Sequence, residues 1–352
     1  NSFEFTSWWA DATNTPIRDL TAFAKTFFAK HTIMSILTRY CVLTSDRLLL
    51  AMRPYQIVAT ERILQKIDVS TNYKQLGTVA AGGYVWHTTG SGKTLTSFKT
   101  AQLASKLAPV DKVLFVVDRK DLDYQTMREY DRFEKGAANS NTSTRVLKKQ
   151  LEDPSARIII TTIQKLATFI NANKGHSIFD GHVVIIFDEC HRSQFGDMHT
   201  AITKAFKKYN LFGFTGTPIF SANAGTGGNV NLRTTEQAFG EKLHTYTIKD
   251  AITDKNVLPF KIDYISTVKV GTFEDKQVSA IDRERALLST KRIKEVVAYT
   301  LKHFDQKTKR ASGYTHSIIT NVAEMAGQRR GAIEELKQAK RVKGFNALFA
   351  TA

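Results

Sequence analysis

The stretch Trp86-His87-Thr88-Thr89-Gly90-Ser91-Gly92-Lys93-Thr94 decides the fold of this 352-residue chain. Apolar residues lead into it, since Tyr84 and Val85 come directly before Trp86. A helix-compatible segment from Leu95 to Leu107 follows it. The local order is therefore strand, glycine-rich loop and helix, an arrangement in which a helix N-terminus presents backbone N–H groups to an anion.

The loop has the chemistry of a nucleoside triphosphate site. Gly90 and Gly92 allow backbone N–H groups to converge on phosphate oxygens. Lys93 offers a positive charge to the β- and γ-phosphates, and the Thr94 hydroxyl can bind Mg²⁺. The general pattern has glycine where this chain has His87, so here the tight turn begins at Gly90. We predict that ATP and Mg²⁺ bind a loop made of Thr89, Gly90, Ser91, Gly92, Lys93 and Thr94.

A second stretch supports this prediction. The run from Val183 to Phe187 is five apolar residues long, which is typical of a strand buried on both faces of a parallel sheet. It ends at the carboxylates Asp188 and Glu189, at the edge where open α/β sheets bind ligands. Asp188 is predicted to hold Mg²⁺ and Glu189 to orient or deprotonate the attacking water.

Composition limits the class of protein. The formal net charge is +17, which favours polyanionic partners such as nucleic acid. The two cysteines, Cys41 and Cys190, are too few for a disulfide framework and indicate a reducing compartment. The chain contains neither a long apolar run nor a secretion leader, so we expect no membrane partner and a cytoplasmic location.

Apolar patterning predicts how the chain is organised. An aromatic-rich region with helical periodicity from about Asp19 to Tyr40 is expected to pack on the main domain as part of its core. Beyond the strand at Tyr84 to Trp86, buried-strand patterns alternate with helical ones, which predicts a doubly wound α/β domain. The further predicted strands are Val113–Val117, Arg157–Thr161, Val183–Phe187 and Leu211–Thr215. Residues 221–234 are expected to form a loop and 283–304 a helix, and the basic clusters within 305–344 a linker or exposed face.

Polar residues follow several of these strands in a definite order. Arg53-Pro54-Tyr55-Gln56 precedes a helix, and a Gln amide can pair with the N6/N7 edge of adenine. Asp118-Arg119-Lys120 and Thr161-Thr162-Ile163-Gln164 each open a helix, where N–H groups and hydroxyls can bind phosphate. Thr215-Gly216-Thr217-Pro218 follows the last of these strands. Each signal alone is weak because ordinary helix caps use the same residues.

The order of these segments resembles a known group of motors. RPYQ, TTGSGKT, VVDRKDL, TTIQKL, DECH and GFTGTP are similar to the first RecA-like domain of superfamily 2 helicases and translocases. More narrowly, HTTGSGKT, VVDRKDLDYQ, DECHRSQFG and FTGTPIF resemble the restriction (motor) subunit of type I restriction–modification enzymes, and looser similarity extends to the final GFNAL. The resemblance implies ATP-driven translocation of double-stranded DNA and assembly with methyltransferase and specificity subunits.

The resemblance also implies residue roles. Lys93 and Thr94 would bind phosphate and Mg²⁺, Asp188 the metal and Glu189 the attacking water. Arg53 and Gln56 would belong to the adenine side of the site. His191, Thr215 and Thr217 would couple the γ-phosphate state to DNA-facing elements. The residues expected near the DNA backbone are Arg119, Lys120, Thr162 and Gln164.

The restriction subunit that this chain resembles has two parts that are not visible in this sequence. They are a nuclease of the D…(D/E)-x-K type and a second motor domain with an arginine finger. Glu274-Asp275-Lys276, with Asp263 before it, and Glu335-Leu336-Lys337 spell E-x-K, but neither has a flanking buried-strand pattern. We therefore expect no nuclease centre here.

We expect residues 1–50 to be a helical lead-in from a missing nuclease domain, 51–260 the RecA-like motor, 261–344 a connecting segment, and 345–352 the first strand of a second motor domain. Two other interpretations stay open. The chain could be a superfamily 2 helicase of another branch acting on RNA or DNA, or a binding scaffold with a degenerate nucleotide site. The scaffold would require loss of Lys93, Asp188 or Glu189, which are all present.

Overall fold

The computed structural model describes residues 7–45, 47–117, 143–192, 197–224, 232–260, 285, 287–310, 313–320 and 336–345. The chain divides into two compact units, Asn1–Pro259 and Phe260–Ala352, and each is described by itself. Within the described residues, none of the helices combines the length and apolarity that crossing a membrane requires.

Unit 1 contains a sheet of six parallel strands in the order β5-β4-β6-β7-β3-β8. A separate two-stranded hairpin precedes it, in which Cys41 pairs with Ala51. The strands of the hairpin and the sheet are β1 Cys41–Leu43, β2 Leu49–Ala51, β3 Gly83–His87, β4 Lys112–Val117, β5 Ile158–Thr162, β6 His182–Phe187, β7 Lys208–Thr215 and β8 Lys242–Tyr246. The predicted doubly wound parallel sheet is confirmed.

Helices cover both faces of this sheet. Those of unit 1 are α1 Leu20–Phe27, α2 Lys30–Arg39, α3 Pro54–Asn72, α4 Lys93–Ala104, α5 Thr144–Glu152, α6 Ile163–Ala172, α7 Asp197–Ala205, α8 Thr235–Phe239 and α9 Ile248–Thr253. Along β6, Val183 and Ile185 belong to one apolar cluster, whereas Val184 and Ile186 belong to the other. Because every β6 residue is buried, its continuous apolar run is explained by burial on both faces.

The sequence prediction missed strand β8. Its residues, Lys242-Leu243-His244-Thr245-Tyr246, mix a cation and a histidine with apolar side chains. In the sheet it pairs with β3 alone, at the edge. The other edge strand, β5, begins with three consecutive isoleucines and was predicted, whereas the polar side chains of β8 interrupt its apolar pattern, which accounts for the omission.

The aromatic lead-in is helical, as predicted, but its expected burial in the core is wrong. Neither α1 nor α2 has a buried residue. The rings instead pack on one another, with centroid distances of 5.0 Å between Phe23 and Phe27 and 5.2 Å between Trp9 and Phe27. Attachment to the sheet domain begins at the end of this region, where Tyr40 is buried and donates to Glu61. In the hairpin that follows, Val42 joins an apolar cluster of the sheet domain and Cys41 O accepts from Lys99 Nζ at 3.0 Å.

Unit 2 contains helix α10, Thr290–Lys307, and an antiparallel ribbon of β9 Tyr314–Ile319 and β10 Lys337–Val342. The basic cluster from Lys340 to Lys343, predicted as linker or exposed face, therefore lies largely in a strand, and it is exposed except at Val342. The predicted helix at 283–304 is represented by α10. Residues 346–352, most of the strand predicted at 345–352, lie outside the described residues.

Candidate nucleotide site

The glycine-rich loop joins β3 to α4 in a left-handed turn. Gly90 has φ 81° and Gly92 has φ 75°, values that residues with a Cβ rarely adopt. Gly92 is also the N-cap of α4. A Cβ on Gly92 would lie 2.7 Å from Gln56 Nε2, so the glycine permits both the turn and close packing against α3.

Residues at the start of α3 hold the loop. Tyr55 OH donates to Ser91 O at 2.7 Å. Gln56 Nε2 donates to Ser91 O at 3.1 Å and to Gly92 O at 3.2 Å, while Gln56 Oε1 accepts from Arg53 N at 2.8 Å. Gln56 is 4% exposed, and its amide here connects the helix start to the loop. The adenine role given to Arg53 and Gln56 stays a prediction.

The edge strand β8 supports the loop from the other side. Thr88 N donates to Tyr246 O at 2.9 Å, and the Tyr246 ring stacks on Tyr55 with a centroid distance of 3.7 Å. His87 Nε2 and His244 Nδ1 are 2.8 Å apart in a hydrogen bond between two buried rings. The sequence did not predict that β8 supports the loop. The one available signal was His87, which stands where the general loop pattern has glycine.

Both histidines of this pair are held neutral. Burial, with the nearby His244 and Lys93 as smaller causes, lowers the pKa of His87 well below its usual range. Burial likewise lowers the pKa of His244 to about 4. One neutral ring then donates and the other accepts, so the pair joins β3 to β8 without placing a positive charge beside Lys93.

The acidic side of the site lies at the end of β6. Glu189 has a left-handed backbone with φ 45°, and its N–H donates to Asp188 Oδ1 at 3.0 Å. Lys93 Nζ lies 3.4 Å from Glu189 Oε1, so the phosphate-loop lysine and the predicted water-orienting carboxylate are in contact. Lys93 is only 10% exposed at its side chain.

A polar chain continues from Glu189 towards β7. His191 Nδ1 lies 3.5 Å from Glu189 Oε2 and 2.9 Å from Thr215 Oγ1. Thr215 Oγ1 also accepts from Thr217 N at 3.0 Å. The structure therefore connects five residues that the sequence assigned to catalysis and coupling in one line from the loop to the segment after β7, namely Lys93, Glu189, His191, Thr215 and Thr217.

The residues present fit ATP and Mg²⁺. Carboxylates at Asp188 and Glu189 and a hydroxyl at Thr94 are the hard oxygen donors that Mg²⁺ prefers. The left-handed glycines and the α4 N-terminus form the type of loop that surrounds phosphates, and Thr89 and Gly90 on this loop are exposed.

The structure describes only some of the residues that were predicted to lie near DNA. Arg119 and Lys120 lie outside the described residues, as do the E-x-K candidate Glu274 to Lys276, Asp263 and Glu335. Thr162 is 1% exposed, and its hydroxyl accepts from Lys165 N at 3.3 Å as the cap of α6. In this structure the buried hydroxyl therefore caps α6, and the expected place of Thr162 near the DNA backbone stays a prediction. Gln164 is exposed on the same turn and stays a prediction.

Comparison with known proteins adds family relationships. The SWI2/SNF2 ATPase family matches residues 55–298. A type I restriction enzyme endonuclease subunit from Staphylococcus aureus is 44% identical over 308 residues, which are 86% of this chain and 32% of that protein. This chain thus spans about a third of the length of such relatives.

Two further similarities differ in coverage. The C-terminal part of a putative type I restriction enzyme endonuclease subunit from Mycoplasma pneumoniae is 47% identical over 204 residues, 56% of this chain and 99% of that protein. The UvsW helicase from bacteriophage T4 is 15% identical with a TM-score of 0.42, covering 68% of this chain and 84% of that one.

Proposed function

Because the chain belongs to the SWI2/SNF2 ATPase family and to the endonuclease subunits of type I restriction enzymes, we propose that it is the ATP-hydrolysing motor part of such a subunit. The motor would use ATP to translocate double-stranded DNA before a nuclease domain elsewhere in the subunit cuts it. The observation that carries this proposal is the connected line of Lys93, Glu189, His191 and Thr215 beside the glycine-rich loop.

Each residue of the site has a role in this proposal. The N–H groups of the loop and α4 bind the phosphates, and Lys93 neutralises charge on the β- and γ-phosphates. Thr94 and Asp188 hold Mg²⁺, which supplies charge stabilisation for the phosphoryl group when it is bound. Glu189 orients and deprotonates the attacking water. In the structure Glu189 contacts Lys93 at 3.4 Å, so arrival of the phosphates would draw Lys93 away and free the carboxylate.

The same line offers a route for coupling. A carboxylate that changes its partner from Lys93 to a water alters its contact with His191, and His191 in turn contacts Thr215 at 2.9 Å. Thr215 and Thr217 lie at the end of β7 and its following loop. We assign these residues to the transmission of the γ-phosphate state towards elements that face DNA.

The wider organisation is also proposed. Residues 51–260 would be the first motor domain, 261–344 a connecting segment and 345–352 the first strand of a second motor domain, which would supply the arginine finger in the full subunit. The partners would be methyltransferase and specificity subunits, with the DNA recognition site read by the partners.

The test is ATP hydrolysis by the full-length subunit with duplex DNA, single-stranded DNA or RNA as the stimulating polymer. Lys93→Ala should lower turnover by orders of magnitude because it removes the positive charge that neutralises the β- and γ-phosphates. Lys106→Ala removes an exposed lysine just beyond α4 and is the matched control. Wild-type turnover by Lys93→Ala would refute the site. Stimulation by RNA rather than duplex DNA would favour another branch of superfamily 2.

A further inference from the structure

A group of cations in unit 2 has no role in the nucleotide site. Residues 287–310 and 336–345 together contain eleven lysines and arginines but only two acidic residues, Glu295 and Asp305. Over the whole of unit 2, residues 260–352, the sequence has 18 lysines and arginines against 10 acidic residues, so the unit is basic and its cations are concentrated in these two ranges. A concentration of positive charge attracts polyanions. The sequence alone suggested only a linker or exposed face for the clusters at Lys307 to Arg310 and Lys340 to Lys343.

The fold brings part of these two clusters together. Phe345 N donates to Thr308 O at 2.6 Å, which joins the chain after β10 to the end of α10. A Cβ on Gly344 would lie 3.1 Å from Arg310 Cα, and a Cβ on Gly313 would lie 3.8 Å from Arg341 Nε. The end of α10 and the end of β10 therefore meet. We name the cations at this meeting point the basic corner, consisting of Lys309, Arg310, Arg341 and Lys343.

Aromatic rings support the basic corner. Tyr314 and Phe345 stack with a centroid distance of 4.3 Å and an interplanar angle of 18°. Lys309 Nζ lies 6.0 Å from the Phe345 centroid, and the Arg310 guanidinium carbon lies 5.9 Å from the centroid of Phe304. Because Tyr314 and Phe345 stack on each other, a ring face of each is already covered, and the corner is better suited to phosphates than to stacked bases.

The charged groups are available to a ligand. All four residues of the basic corner are exposed. Among the residues that the structure describes, none of the four forms a salt bridge with an acidic side chain. Lys340, the neighbour of Arg341 in β10, points to the opposite face of the ribbon because successive strand residues alternate.

We propose that the basic corner binds the phosphate backbone of duplex DNA, as a DNA contact of unit 2 that needs no nucleotide. The identity of the polyanion rests on the proposed function, whereas the site rests on the charge and geometry of unit 2. Binding is independent of base sequence, since guanidinium and ammonium groups contact phosphate oxygens.

The experiment measures binding of a fluorescent duplex to this chain without ATP at several salt concentrations. Each lost phosphate contact lowers the slope of log affinity against log salt by about 0.9 for a duplex. The triple variant Lys309→Gln, Arg341→Gln, Lys343→Gln should lower that slope by about 2 to 3 and weaken binding at least about fivefold. The matched control, Lys291→Gln, Lys294→Gln, Lys302→Gln, removes the same charge from exposed positions of α10 and should change the slope by less than about 1.

Several outcomes separate the possibilities. Equal slope changes in the two triple variants would overturn the proposal, because binding would then follow net charge alone. Competition by polyglutamate as effective as competition by duplex would also overturn it, since the partner would then be an acidic polypeptide. A single-stranded probe bound more tightly than the duplex would contradict the choice of duplex. Thermal unfolding of both variants shows whether the ribbon is intact, and ATP turnover by the full-length subunit tests the proposed function separately.

Discussion

At the scale of single residues, Glu189 has the strongest constraints in the site. Its backbone is left-handed, and its carboxylate lies between Lys93 at 3.4 Å and His191 at 3.5 Å. A non-glycine residue in that conformation costs free energy of order 1 kcal/mol or more, which the surrounding contacts must offset. Such strain at a chemically suited residue is typical of functional positions.

Substitution of Glu189 tests whether that carboxylate acts in the chemical step. Glu189→Gln keeps the side-chain size but removes the charge that would deprotonate water, so turnover by the full-length subunit should fall by about 10²-fold or more. ATP affinity should stay equal or increase, because Lys93 loses its negative partner. Fluorescent-nucleotide titration and steady-state hydrolysis measure the two effects, with exposed Glu241→Gln as control. A proportional loss of affinity and turnover would instead indicate a binding role.

A buried histidine gives a prediction about pH. His199 is 2% exposed, and neither ring nitrogen has a hydrogen-bond partner among the residues that the structure describes. Burial lowers its pKa to about 4. In the unfolded chain His199 binds a proton as the pH falls below about 6.5, whereas in the folded chain it binds one only near pH 4. The contribution of the neutral ring to stability is therefore present above pH 6.5 and is lost as the pH falls towards 4. The loss per histidine is about 2 kcal/mol between about pH 7 and about pH 5.

Urea unfolding of this chain across that pH range measures the effect. His199→Leu should be at least as stable as wild type near pH 7, because it removes two unpartnered polar atoms from contact with Phe187 and Phe239. It should also show a smaller loss of stability at pH 5. The exposed His31→Leu should follow the wild-type curve. An unchanged pH dependence in His199→Leu would show that this ring is not the linked group.

At the scale of elements, strands with an unbroken apolar run could be predicted from the sequence, including the edge strand β5, whereas β8 and the β9–β10 ribbon could not. The β6 run and the loop after β3 carry patterns fixed by burial and by phosphate chemistry, so their positions were evident. Strand β8 and the β9–β10 ribbon depend on pairing partners far away in the chain, which no local pattern records. Likewise, the sequence does not distinguish a Thr162 that caps a helix from one that lies near phosphate, and the structure shows the cap, with a hydroxyl that accepts from Lys165 N.

The support from β8 can be tested at Tyr246. This ring stacks on Tyr55, and its hydroxyl donates to Asp254 at 2.9 Å and accepts from Asn256 at 2.6 Å. Tyr246→Leu should loosen the loop and raise the KM for ATP several-fold, while kcat changes less, because no reacting group is removed. Thr245→Val alters the neighbouring, half-buried position of β8 and is the control. A large fall in kcat with unchanged KM would contradict a role in positioning the loop.

At the scale of the whole molecule, the two units carry different chemistry. Unit 1 holds the candidate nucleotide site at one edge of its sheet, and unit 2 holds the basic corner. The 308 residues that align with the Staphylococcus aureus relative are only 32% of that protein. We therefore expect the complete reaction to depend on parts of the subunit beyond those aligned here.

ATP hydrolysis by this chain, measured without the rest of the subunit, tests that dependence. A phosphoryl-transfer site without its arginine finger loses roughly 10³ to 10⁵ in rate. This chain alone should therefore bind ATP with Mg²⁺ but hydrolyse it far more slowly than the full-length subunit, and it should not cut DNA. Nucleotide titration and turnover assays on both proteins are the measurement, with Lys93→Ala as the background. Full turnover by the isolated chain would mean that all catalytic groups lie within these residues.

The hydrogen bond between His87 and His244 has a consequence for folding during synthesis. The two residues are 157 positions apart, yet they meet beside the loop that starts with Thr88. Contacts between such distant residues form late, since the intervening chain must first be available and ordered. In a chain that is still emerging from the ribosome, the glycine-rich loop is therefore synthesised long before strand β8, which supports it through the His87–His244 hydrogen bond. We expect nascent chains that stop short of β8 to hold nucleotide poorly, so ATP cannot assist folding until residue 246 has been released.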